Sequence, residues 1–402
     1  MSAAPEPTGR PASRRWLTRG VVSIGIASLF SDIGHEMATA LLPALLVTLG
    51  GSAATLGLIE GLADLGASGA KLGAGWLGAR IRHRKAAATA GYLVTAFSKA
   101  SFALAHGWPA IFVARLAGWL GRGFRSPLRD TLLAEQTVPE SFGKAYGLER
   151  AMDSIGAVLG PLGALGLTLL AVELRTIFLC TLIPGLLAAA LFYVGVRETP
   201  SSHATNTPAS VPLPPAFRRL LVAVGVFGLG DFSRTLLLLW ATGHATAGSA
   251  SLTLPLGLYV LFNAVAAASS FLAGQASDRL GRKPLLLLGY AVATATSGLL
   301  VADQHALAWM LPAFVGSGVY FGILEAVEKA TAADLLAPSQ RSWGFGLLAT
   351  VTGVGDFVSS LTVGLLWQWA GPRVAFGFSA GAMLLGLVAL VVLVPSARRP
   401  AV

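Results

Sequence analysis

Asp32, His35 and Glu36 lie inside one long apolar stretch that runs to Leu49. Residues three and four apart share a helix face, so the three form a single polar patch that hydrocarbon would penalise. A carboxylate in such a patch can load and release a proton as its hydration changes. The trio could also offer oxygen and nitrogen ligands to a metal ion. The zinc-protease spacing H-E-x-x-H fails, because Thr39 stands where the second histidine would be. Further on, Arg115, Arg122 and Arg129 are spaced by heptads and drift only about 20° per repeat around a helix. With Arg125 nearby they form a basic stripe, suited to an anion or to neutralising carboxylates. Asp153, with Glu149 one turn below, and the pair Asp231 and Arg234 complete the candidates for an ionisable cavity.

These residues need a scaffold that hides charge from lipid, and the composition states which kind. The 402 residues are 54% hydrophobic and only 12% charged, against about 25% charged in an ordinary soluble protein. A spanning helix takes about 20 apolar residues, so this length admits many crossings and no large soluble domain. A cytosolic enzyme, a disulfide scaffold and a porin-type barrel are excluded. No Gly-rich phosphate loop of the Walker type occurs, which argues against ATP as an energy source. The net charge of +10 does not call for nucleic acid, because loops on the cytoplasmic side of membrane proteins carry the Lys/Arg excess. Cys180 is the single cysteine and forms no internal disulfide.

Twelve apolar segments follow one another at about 20–49, 54–79, 86–105, 108–132, 144–172, 174–196, 217–242, 253–276, 284–302, 306–333, 342–369 and 374–395. Residues 1–19 read as a basic tail, 20–196 as a first six-helix bundle and 197–216, rich in Pro, Ser and Thr, as a linker. Residues 217–395 then read as a second bundle and 396–402 as a short tail. With both termini cytoplasmic, the inner segments hold eighteen Lys and Arg while the outer loops hold two, Arg175 and Arg373. The positive-inside rule therefore fixes that orientation. Asp32 lies 13 residues beyond Arg19, and Asp231 lies 12 beyond Arg219. At 1.5 Å per residue both sit about 18–20 Å along their helices, near mid-membrane.

The halves repeat at an offset of 199 residues: Asp32 on Asp231, Gly75 on Gly274, Arg80 on Arg279, and Ala134-Glu135 on Ala333-Asp334. Six spans return the chain to its starting side, so the halves are parallel repeats about an axis along the membrane normal. Arg234 then occupies the position of His35. Asp64 and Lys71 share a stripe of the second helix and are expected to form a structural tie.

Between the eighth and ninth segments stands Gly274-Gln-Ala-Ser-Asp278-Arg279-Leu-Gly281-Arg282-Lys283. With twelve spans in two halves, this loop resembles the signature of the major facilitator superfamily, over about residues 20–395. The resemblance implies an all-α integral membrane fold of twelve transmembrane helices in two pseudo-symmetric six-helix bundles. It also implies a cytoplasmic charge lock at Asp278. The first-half counterpart begins at Gly75 and keeps Arg80, but has Ala79 in place of the acidic residue and Arg82 in place of the second glycine. Gly156, Gly160 and Pro161 are similar to the fifth-helix motif of proton-exchanging exporters. Arg115 is similar in placement to a fourth-helix arginine thought to aid proton transfer, with Trp119 where that motif often has glycine.

The expectation is a secondary transporter rather than an enzyme, moving a small solute outward in exchange for protons by alternating access. It is expected to be a monomer in a cytoplasmic inner membrane, with no cofactor, no resident metal and no nucleic-acid partner. The alternatives are a divalent-metal exporter using Asp32, His35 and Glu36, and an organic-anion importer using the arginine stripe.

Overall fold

The computed structural model describes residues 17–78, 83–137, 142–198, 213–242, 252–302, 307–336 and 341–394. Fourteen α-helices are present among them. In the first half these are α1 (Arg19–Thr48), α2 (Ala53–Gly78), α3 (Arg84–Ala100), α4 (Trp108–Glu135), α5 (Phe142–Leu169), α6 (Leu174–Cys180) and α7 (Leu182–Gly195). In the second half they are α8 (Pro215–Gly228), α9 (Arg234–Thr242), α10 (Thr253–Leu280), α11 (Arg282–Leu300), α12 (Leu307–Leu335), α13 (Arg341–Ala370) and α14 (Pro372–Leu393). Helices α6 and α7 are two parts of one span, and so are α8 and α9, which gives twelve spans. Seven of these are long and apolar enough to cross a membrane by length and composition. Of the other five, α1, α2 and α4 each carry several charged residues, α3 is short, and the α8–α9 span is broken.

The repeat read from the sequence is kept in the packing. Helix α1 packs on α5 and α7, α2 on α4, and α3 on α4 and α7. The second half repeats this with α8 on α13 and α14, α10 on α12, and α11 on α12 and α14. The halves meet through α2 against α13 and α5 against α10, contacts that exchange under a two-fold axis.

The apolar cores are unequal at the two ends. At the end away from Arg19, one core runs through both halves, from Leu42, Leu46 and Phe178 to Leu238, Phe262 and Phe376. At the basic end, which carries Arg19, Arg84, Arg218 and Arg282, each half has its own core. The first centres on Tyr92, Leu132 and Phe192, and the second on Phe227, Tyr290 and Met383. The molecule is therefore sealed by shared hydrocarbon at the far end and joined by other means at the basic end.

One span departs from the sequence expectation. The segment 217–242 is not a continuous helix: α8 stops at Gly228 and α9 starts at Arg234. Gly228, Gly230, Asp231 and Ser233 are poor helix formers. The backbone they free finds partners on other helices: Ser360 Oγ accepts from Ser233 N at 3.0 Å, and Ser379 Oγ donates to Gly230 O. Irregular backbone at membrane depth is tolerated on that condition. Asp231 thus sits in an unwound turn, whereas its counterpart Asp32 lies within the unbroken α1.

Candidate functional site

The fourth-span arginines project from α4 toward three neighbouring helices, and each of the three heptad-spaced members takes a carboxylate. Arg115 pairs with Glu60 of α2 at 3.0 Å and donates to Thr39 at 3.1 Å. Arg122 Nη1 reaches Asp32 Oδ1 at 2.7 Å. Arg129 contacts Glu149 of α5 at 2.6 Å and its neighbour Asp130 at 2.9 Å. Ser28 Oγ also donates to Glu149, at 2.7 Å. The stripe is thus largely neutralised by carboxylates in this conformation. Arg125 is the exception; it donates to Ser31 Oγ at 2.7 Å and lies over the Tyr92 ring at 3.9 Å.

Trp119, on the same helix, sits between the charges. Its ring lies 5.5 Å from the Arg115 guanidinium and 5.8 Å from that of Arg122. His35 meets it edge-on at 5.0 Å. Cation–π contacts of this kind hold cations without a carboxylate. The indole fills a position that glycine would leave open, and it lies near both guanidinium groups.

The first-helix trio does not converge. Asp32 turns to Arg122, while His35 turns to Trp119. Glu36 crosses to the second half, accepting from Tyr259 of α10 at 2.7 Å and approaching Arg234 of α9 at 3.7 Å. Among the described residues no group of three His, Cys, Asp or Glu is placed to hold a metal. Arg234, the counterpart of His35, also lies 5.0 Å from the Phe321 ring. Glu36, Tyr259 and Arg234 therefore form a polar tie between the halves just below the shared apolar core.

Asp153 pairs with Arg150 one turn earlier on α5, at 3.2 Å, and Arg150 also bridges to Glu325 of α12. That second contact joins the halves nearer the basic end. Asp231 accepts from Tyr320 at 3.2 Å and has no ion-pair partner among the described residues. The expected Asp64–Lys71 tie is not formed. No ion pair joins them, and Lys71 is exposed.

Gly156 and Gly160 explain how α5 comes so close to α1. A Cβ at Gly156 would stand 2.5 Å from Leu29 O and 3.0 Å from Asp32 Cβ. At Gly160 it would stand 2.6 Å from Ile33 O and 3.0 Å from Glu36 Cβ. The motif thus seats α5 against the two carboxylates of α1, and Pro161 lies within the continuous α5 helix. Gly160→Leu is expected to lower stability by about 1–3 kcal/mol, the cost of overpacking. Thermal unfolding in detergent reads this, and an unchanged midpoint would mean the two helices do not touch there.

The loop after α10 turns at Gly281, whose φ of +94° suits glycine. Gly274 has open space around it, so close packing does not account for that glycine. Arg279 is exposed. Arg80 lies outside the described residues, and so do the surroundings of Gly75 and the side chain of Asp278. Arg282 Nε reaches Asp334 Oδ2 at 3.0 Å. In the first half, Arg84 at the start of α3 reaches Glu135 at the end of α4 at 2.7 Å. Glu135 and Asp334 are the 199-residue repeat noted in the sequence, which gave the symmetry but not this role. Their signal was an acidic residue closing each symmetry-related helix opposite a basic loop. Tyr259 and Tyr320 carried no such signal.

The chain matches the sequence profile of the Major Facilitator Superfamily over residues 24–259 and 220–402. It is 28% identical over 382 residues to an MFS-type transporter of Methanocaldococcus jannaschii, covering 94% of this chain and 95% of that one. A protein of Mycobacterium tuberculosis is 26% identical over 378 residues, 89% of this chain and 88% of its own. Among solved structures, a D-xylose-proton symporter superposes with a TM-score of 0.75 at 15% identity, covering 95% of this chain and 98% of that one. A bacterial homologue of the human lysosomal transporter Spinster, inward-facing and occupied, gives 0.70 at 15% identity, covering 95% of both chains. The match of family profile and twelve-span fold leaves one conclusion: this chain belongs to the major facilitator superfamily, and is a multi-pass membrane transport protein rather than an enzyme.

Proposed function

We propose that the chain exports a small solute in exchange for protons, with residues 20–196 and 217–395 rocking about a midplane site and both termini in the cytoplasm. The observation that carries this reading is Asp32. It is 3% exposed, is held by Arg122 from α4, and has Gly156 of α5 packed on its Cβ. Protonating such a carboxylate cancels its attraction for Arg122, so one proton changes how three helices are held. Helix α5 also carries Asp153 and the Arg150 bridge to the second half, which gives the change a route across the interface. The outward direction rests on the likeness of Gly156, Gly160 and Pro161 to the exporter motif. The basic end is taken as cytoplasmic, so the shared apolar core seals the outside in this conformation. Asp231 in the broken span is the second-half group placed to meet cargo or a proton.

The test is a resistance and uptake screen of an overexpressing strain, followed by everted vesicles with any solute found. Adding that solute to vesicles holding a pH gradient is expected to dissipate the gradient, and a protonophore to stop flux. Flux indifferent to the protonophore would remove the coupling. Accumulation by whole cells, instead of depletion, would reverse the direction.

A further inference from the structure

The ion pairs around α4 leave two buried basic side chains over. Lys99 of α3 and Arg125 of α4 are 5% and 2% exposed, and neither has a carboxylate within 4.0 Å among the described residues. Arg125 Nη2 donates to Ser31, but its Nε and Nη1 have no partner among the described residues. Lys99 makes no side-chain hydrogen bond or ion pair among the described residues. A guanidinium does not shed its proton, and a buried charge left unpaired is costly.

A small cavity lies beside these side chains, and its lining comes from the first half alone. It is lined by Ser31 and Gly34 of α1, by Tyr92, Thr95, Ala96 and Lys99 of α3, and by Thr181 and Gly185 at the α6–α7 span. Its volume of about 10 Å³ is room for one water or one ion of similar size. The lining is rich in donors. Among the described residues Lys99 is unpaired, and the buried Tyr92 hydroxyl has no partner. Ser31 Oγ already accepts from Arg125, which leaves its own proton to give. Thr95 and Thr181 spend their protons on the carbonyls of Gly91 and Phe178. Among the described residues no carboxylate lines the space. Thr95 and Thr181 keep lone pairs that could take a water's hydrogens, so what favours an anion is the donor set of Lys99, Tyr92 and Ser31 together with the adjacent charge of Arg125.

We propose that the cavity between α1, α3 and α7 holds a resident halide-sized anion, bound by Lys99, Tyr92 and Ser31 with Arg125 adjacent. The ion is a fixed counter-charge and not the cargo, since the space is too small for a polyatomic solute. It neutralises the excess that Asp32, Glu60 and Glu149 leave uncovered. The site does not depend on the direction of transport or on proton coupling.

Equilibrium binding of radioactive chloride to the purified full-length protein tests this. Saturable binding of one ion per chain is expected, displaced by bromide and not by sulfate. Lys99→Met should abolish it. Tyr92→Phe, which keeps the ring over Arg125, should weaken it about tenfold, as for one hydrogen bond to a charged group. The unfolding midpoint of the wild type should rise when chloride replaces gluconate at equal ionic strength. If Lys99→Met does not fold, Tyr92→Phe and the gluconate comparison decide. No saturable chloride binding, meaning a cavity holding water alone, would overturn the assignment. So would equal binding in wild type and Tyr92→Phe.

Discussion

Proton-driven flux is expected to fall to the uncoupled background in Asp32→Asn, while the protein still reaches the membrane. The amide keeps the size of the carboxyl and an oxygen for Arg122, so the packing of Gly156 on residue 32 survives. It cannot release a proton, and the charge that draws Arg122 is gone. Arg122 is 22% exposed and rests near Trp119, so the orphaned cation is partly hydrated and folding should tolerate the change. Proteoliposomes separate the two properties. Exchange of labelled for unlabelled solute, which needs no net proton movement, should persist, while uptake driven by a pH gradient should vanish. Wild-type gradient-driven flux in this variant would discard Asp32 as the proton carrier.

At Arg115 the expected loss is of stability. Arg115 and Glu60 are 3% and 2% exposed and 3.0 Å apart. Arg115→Met leaves a carboxylate buried in hydrocarbon surroundings, and breaking such a pair costs about 3–5 kcal/mol. The double variant Arg115→Met with Glu60→Leu removes both charges and should recover most of that, since apolar replacement of a buried pair is often close to neutral. Strong non-additivity is the mark of direct coupling. Unfolding in detergent across the four proteins measures it. Additive losses would show that the residues act separately, and would reopen a role for Arg115 in proton transfer.

The sequence made the architecture legible to a degree it did not reach for the site. The 199-residue register is visible in paired residues and reappears in helix ends, with α4 at Trp108–Glu135 and α12 at Leu307–Leu335. Periodicity also put Arg115, Arg122 and Arg129 on one stripe. It could not choose their partners, because Glu60, Asp32 and Glu149 come from different helices whose approach is decided by packing. Asp64 and Lys71 show the same limit from the other side: shared helical spacing did not bring them together. The break at Gly228–Ser233 was hidden inside an apolar run. Its weak helix formers were visible, but the hydroxyls of Ser360 and Ser379 that sustain it lie more than a hundred residues away in the chain. The inter-half tie at Glu36 depended on Tyr259, which nothing local distinguishes from a core aromatic.

The contrast between the two ends has a thermodynamic consequence. Parting the far end would wet Leu42, Leu46, Leu238 and Phe262, a step with a positive heat-capacity change that grows easier on cooling. Parting the basic end would instead break the half-exposed Arg150–Glu325 bridge, which dissolved electrolyte weakens by screening. Chilling and salt therefore act as separate handles on opposite mouths of one transport cycle.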